Sequence, residues 1–177
     1  ATVMVGHAMA LRQPRLGRLL AWSSVAHVGY IVIALATATP RSVAGGLFHL
    51  VNHGLLKAGL FLVAGRAVIQ RGNDRIAALR GLMGESPALV VVFVLLALGM
   101  VGLPPLNGFL SKWAIVMPVM TAGHVLPGAA VVVGGLIALV YYSRIAALMC
   151  LPAGQPSSLP GVRPAGPGAS LGLLALL

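Results

Sequence analysis

Acidic side chains are almost missing from this chain: 177 residues carry 2 Asp+Glu against 12 Lys+Arg. Charged residues of all kinds make up 8%, about a third of the ~25% a soluble domain uses to wet its surface. A water-exposed globule is therefore excluded. One cysteine, Cys150, rules out an internal disulfide and argues against a cysteine-based metal site. Aromatics at 5% offer no stacking platform, so the net charge of +10 is not read as a nucleic-acid surface. No flavin, quinone, iron–sulfur or nucleotide motif is visible, and neither a cofactor nor a catalytic residue is expected in this chain. What is present is apolar: 59% hydrophobic residues and a mean hydropathy of +1.00. The bilayer is the main solvent, and the fold class expected is an all-α, polytopic transmembrane helical bundle.

A span needs about 20 apolar residues, and four stretches qualify. They run over about 19–39, 43–70, 88–122 and 127–151, preceded by a partial helix over 1–11. Between 43–70 and 88–122 lies a polar loop holding the only acids, Asp74 and Glu85. The stretch 88–122 is interrupted at Pro104 and Pro105, which remove two backbone donors and clash with the preceding turn. A Pro/Gly-rich loop over 152–168 and the start of a further helix over 169–177 complete the reading. No signal peptide pattern is visible, and both ends are expected to be cuts from a longer protein.

The arginines test this layout. Four crossings place Arg12, Arg15, Arg18, Arg71, Arg75, Arg80, Arg144 and Arg163 on one side, and Arg41 alone on the other. Such asymmetry is what positive-inside topology demands if the arginine-rich side is cytoplasmic, and it counts the proline-broken stretch as a single crossing.

Chemistry concentrates in the second and third spans. His49, His53 and Lys57 recur at i, i+4 and i+8. They drift only about 80° around a helix while climbing about 12 Å, which makes one polar stripe. Lys57 lies near mid-span, where a lysine costs roughly 2.5–3.5 kcal/mol on insertion scales. Groups that bind and release protons at such intervals suit a proton relay. In the third span the proline break is followed by Asn107, Gly108, Ser111 and Lys112. That places freed carbonyls, a helix N-terminus and an amine within about two turns, an arrangement that lines ion sites in transporters. His27, Ser23, Ser24 and Tyr30 add a second tier of polarity to the first span; a single intramembrane histidine more often makes a helix–helix hydrogen bond. Neither Lys57 nor Lys112 has an intramembrane carboxylate in this chain. Each must be uncharged at rest or paired with an acid outside the chain.

Three ordered motifs carry a resemblance: Arg18 to Tyr30 (RLLAWSSVAHVGY), Phe48 to Leu62 (FHLVNHGLLKAGLFL) and Gly102 to Trp113 (GLPPLNGFLSKW). Together they resemble the antiporter-like membrane subunits of respiratory complex I, Mrp-type cation/proton antiporters and membrane-bound hydrogenases. That resemblance implies two inverted five-helix repeats, each with one broken helix, of which this chain looks like the second. It implies that Lys57 sits on a central hydrophilic axis, that His49 and His53 connect along it, and that Lys112 gates a half-channel. The family's glutamate and its first broken-helix lysine would lie in the N-terminal half. Trp22 stands where Tyr is more usual, and Arg66 adds a charge to a normally apolar stretch. The function expected is proton translocation within a complex I-like NADH:quinone oxidoreductase or related hydrogenase, in a multi-pass bacterial inner-membrane protein with other membrane subunits as partners. The alternatives are a sodium/proton antiporter subunit of Mrp type, carrying Na+ as well as protons, and a non-conducting truncated fragment.

Overall fold

A computed structural model describes residues 1–152. The expected loop over 152–168, the helix start over 169–177 and Arg163 thus lie outside the described residues, Pro152 excepted. Seven α-helices follow in order: α1 Thr2–Leu11, α2 Leu16–Ala36, α3 Pro40–Arg71, α4 Leu82–Glu85, α5 Pro87–Val101, α6 Asn107–Thr121 and α7 Val125–Cys150, with a 3-10 turn at Ile76–Leu79. Among the described residues there is no strand, only an isolated bridge between Arg15 and Arg75.

Local sequence explains the boundaries. Thr39 caps α3 reciprocally with Ser42 while Pro40 occupies the first turn, where its missing N–H is no loss. For that reason α3 starts at Pro40 and not at the expected 43, and α2 ends at Ala36. Leu16 N–H donates to the Asp74 carbonyl at 2.9 Å, which starts α2 three residues before the expected 19. Gly72 closes α3 in the left-handed conformation. Helices α2, α3 and α7 are long and apolar enough to cross a membrane. At 32 residues, α3 is about 48 Å long, well over a bilayer's hydrocarbon thickness of about 30 Å. Helices α5 and α6 have 15 residues each; each is too short to cross a bilayer alone, and they are joined through the break at 102–106.

The two ends of the bundle differ in chemistry. On one, Arg15 pairs with Asp74 at 3.7 Å, Arg71 with Glu85 at 2.9 Å, and Arg80 Nε donates to the Pro152 carbonyl. At the other, Thr39, Pro40 and Arg41 share a surface hollow with Pro118, Thr121 and Ala122.

The core is split along the bundle axis. One apolar cluster gathers Leu16, Leu19 and Leu20 of α2, Leu60, Val63 and Ala67 of α3, Phe93 of α5 and Ile145 of α7. A smaller one gathers Val3, Tyr30, Ala34, Ile115, Val119 and Val131. The residues between them on α2, α3 and α6 are polar and buried: Ser23, His27, His49, Asn52, His53, Lys57, Ser111 and Lys112. The fold thus holds a polar layer between two apolar caps, while large apolar side chains such as Leu62, Ile69 and Leu126 face outward.

Candidate functional site

Lys57 projects from the middle of α3 and is only 5% exposed. Its Nζ donates to the Leu20 carbonyl at 2.8 Å, to Ser23 Oγ and, at 3.5 Å, to the Tyr142 hydroxyl. An amine has three donor positions in its charged form, and each finds an oxygen. Leu20 is one turn below Ser24 in α2, where Ser24 Oγ bonds the same carbonyl at 3.1 Å. Ser24 therefore turns back on its own helix and takes no part in linking helices.

Lys112 is held differently. Its Nζ donates to the Met100 and Val101 carbonyls at 2.8 and 2.6 Å. These belong to the last turn of α5, whose carbonyls have no following helical N–H to accept from. The break at Pro104 and Pro105 exposes them, and the lysine one turn into α6 folds back to occupy them at the negative end of the α5 dipole. Gly102, at φ 82°, makes this possible, because a Cβ there would meet Lys112 Cδ at 2.9 Å and Nζ at 3.3 Å. Gly108 is equally confined: a Cβ would overlap the Gly99 carbonyl. Lys112 Nζ also lies 5.7 Å from the centre of the Tyr30 ring, within cation–π range.

The imidazoles fill the space between. His27 Nδ1 and His49 Nε2 are 3.1 Å apart, and His49 Nδ1 is 2.9 Å from Ser111 Oγ. Ser111 Oγ donates its one proton to the Gly108 carbonyl at 3.1 Å, so it accepts from His49 Nδ1–H and from Asn52 Nδ2 at 3.1 Å. With His49 neutral, its Nε2 must accept from His27 Nδ1–H, which leaves His27 Nε2 bare. The tautomers are assigned from this network. Asn107 Nδ2 donates to Asn52 Oδ1 at 3.0 Å, tying the start of α6 to α3. His53 stacks on His27 at 5.1 Å and on His49 at 6.1 Å without a hydrogen bond to either. His27 Nε2 and His53 Nε2 are buried with no hydrogen-bond partner among the described residues, the kind of atom an internal water satisfies.

A second track was not anticipated. His7 of α1 is fully buried, with Nε2 2.7 Å from the Tyr30 hydroxyl and Nδ1 3.3 Å from that of Tyr141. The Tyr141 and Tyr142 rings lie 4.7 Å apart, and Tyr142 OH is 3.3 Å from Ser23 Oγ. Phenols and His7 thus lead from beside Lys57 to the Tyr30 ring beside Lys112. Residues 1–138 match the family described as NADH:quinone oxidoreductase/Mrp antiporter, TM. The chain belongs to this family.

Within it, the chain is 41% identical over 96% of its length to NADH-quinone oxidoreductase subunit N of Desulforudis audaxviator, covering 34% of that relative. It is 30% identical over 84% of its length to F(420)H(2) dehydrogenase subunit N of Methanosarcina mazei, covering 32% of it. Among solved structures it superposes on a chain of the respiratory complex I from Thermus thermophilus with a TM-score of 0.80 at 27% identity, covering 87% of this chain and 33% of that one. A chain of the Mrp complex from a Dietzia species gives 0.81 at 29% identity, covering 88% and 29%. The chain spans about a third of the length of the curated relatives it matches. The family is one of integral membrane proteins, and the relatives named are subunits of multi-subunit complexes.

Of the residues expected from sequence, the fold brings His27, Ser23, His49, His53, Lys57 and Lys112 into one polar layer, with Tyr30 at its edge in the smaller apolar cluster. Pro104 and Pro105 lie in the break, and Gly108 lies in the first turn of α6. No hydrogen bond links Lys57 to His53, although they share a helix face. His7, Asn52, Tyr141 and Tyr142 were missed. The signal available was weak: a lone His in a short apolar run, an Asn between two histidines, and paired tyrosines in an otherwise apolar span.

Proposed function

We propose that this chain is the proton-conducting part of an antiporter-like membrane subunit, moving protons along the buried Lys57–imidazole–Lys112 layer in a complex I-like NADH:quinone oxidoreductase or a related redox complex. The observation that carries this reading is a pair of buried amines with no carboxylate beside them, on either side of a chain of histidines, hydroxyls and amides. The chain's two acids are both engaged at the bundle end, with Arg15 and Arg71. Each amine can change protonation only by exchanging a proton with the layer around it or with an acid elsewhere in the whole protein.

In this reading Lys57 passes a proton to the hydroxyl of Ser23 or Tyr142, each of which gives up its own proton as it takes one. The bare Nε2 of His27 accepts next through a bridging water, the His27–His49–Ser111 chain reverses its hydrogen bonds as the charge passes, and a further water takes the proton from Ser111 Oγ on to Lys112. Water held by the unpartnered His27 and His53 nitrogens closes the gap that the stacked rings leave. Lys112, seated on the α5 carbonyls, is the exit or entry switch: its hold on them strengthens when it is charged. Redox chemistry belongs to partner subunits, and the location this function requires is an energy-coupling membrane, in a bacterium its inner membrane. The subunit N names of two relatives favour the redox-linked branch. The likeness to the Dietzia Mrp complex supports a second reading, a sodium/proton antiporter subunit with the same layer.

The test is proton uptake by vesicles carrying the full-length protein in its complex. Lys57→Ala and Lys112→Ala should each abolish or strongly reduce pumping while the complex still assembles. Wild-type pumping in both would overturn the relay, and sodium-dependent uptake without electron donor would favour the antiporter.

A further inference from the structure

A cavity of about 290 Å³ opens between the α5–α6 break and α7. Its walls are apolar and include Leu103, Phe109, Trp113, Leu136 and Leu139, and one amine, Lys112, lies among them. Two of the walls, Trp113 at 53% and Leu136 at 61% exposure, lie at the surface of the described residues, where the cavity opens. Gly135 of α7 leaves the approach to the amine clear: a Cβ there would come 3.6 Å from Nζ. The Met100 and Val101 carbonyls take two N–H groups of the amine, so a neutral Nζ keeps its lone pair for an acid O–H, and a charged Nζ keeps its third N–H for a carboxylate.

We propose that this cavity binds a free long-chain fatty acid from the bilayer, its carboxyl group on Lys112 Nζ and its chain along Leu136 and Trp113. Three observations select that ligand. The walls are apolar while the one polar group at the base is a donor without an acid, so the missing complement is a carboxyl on a hydrocarbon. The volume is at the lower end of ligand pockets, roughly 300–1,000 Å³, which suits one chain and not a two-tailed phospholipid. Lys112 folds back onto the break between two 15-residue helices, which puts the amine about midway along the α5–α6 pair and not at either of its ends. A fatty acid reaches that depth as the neutral acid, because only the uncharged form enters hydrocarbon cheaply. There the proton sits on the carboxyl oxygen or moves to Nζ; the bound pair has the same atoms and net charge in both cases.

The test uses the full-length protein in its complex, in native-lipid nanodiscs, with a diazirine-bearing fatty acid and mass mapping of the adducts. Adducts are expected on Phe109–Trp113 and Leu136–Leu139, with palmitate competing about tenfold or more better than its methyl ester. Gly135→Leu, which fills the cavity from a helical position that tolerates a side chain, should remove the adducts while the complex remains assembled. Lys112→Met should keep them but abolish the preference for the acid. Equal competition by the ester, competition by phospholipid alone, adducts that persist in Gly135→Leu, or no adducts at these segments would each overturn the proposal.

Discussion

Replacing Lys112 by Met separates the two things this amine does. The perturbation removes the donor from the Met100 and Val101 carbonyls, now held at 2.8 and 2.6 Å. No other backbone donor takes them over, because the N–H groups of Gly102 and Leu103 both turn to the Leu98 carbonyl. Two buried acceptors left without partners cost about 1–3 kcal/mol each, so about 2–6 kcal/mol together. Against this, exchanging a lysine for an apolar side chain of similar length at membrane depth recovers roughly 2.5–3.5 kcal/mol. The two largely offset, and Lys112→Met is expected to destabilise the protein by no more than about 3.5 kcal/mol while losing all capacity to titrate. The assay is reversible unfolding of the purified full-length protein in mixed micelles, run beside proton uptake in vesicles. Uptake should fall to background in a protein that still folds. Failure to fold, or a loss well beyond ~5 kcal/mol, would refute the reasoning, since the amine would then be chiefly a cap for α5.

Three further outcomes are expected. Ser111→Ala deletes the acceptor shared by His49 and Asn52; it should cost about 1–3 kcal/mol and slow proton uptake without stopping it, as read in the same vesicles. Gly108→Ala drives a Cβ onto the Gly99 carbonyl, and overpacking of about 1–3 kcal/mol should widen the α5–α6 break, measured as a longer spin-label distance across it. Arg71→Ala removes an ion pair whose acid is 47% exposed, so stability should change by under ~1 kcal/mol in the unfolding assay and pumping should stay at the wild-type rate.

The all-α membrane class was legible because it rests on composition, and the broken helix because Pro104 and Pro105 act through covalent geometry that needs no neighbour. The face shared by His49, His53 and Lys57 followed from helical period alone. What period could not supply was the partner of each group. Lys57 reaches Leu20 and Ser23 of α2, and His7 reaches Tyr141 across the bundle; such pairings depend on which helices pack together. Helix starts moved for a related reason. The capping of α3 by Thr39 and the tie from Leu16 to Asp74 are polar contacts that a count of apolar residues does not see.

The most direct measurement is the proton-to-electron ratio of the reconstituted whole complex bearing Lys57→Met. With the amine gone and electron transfer still measurable, the ratio should drop below that of the unaltered complex, because the layer between the two apolar caps can no longer load a proton at that position. An unchanged ratio at an unchanged turnover rate would contradict the account.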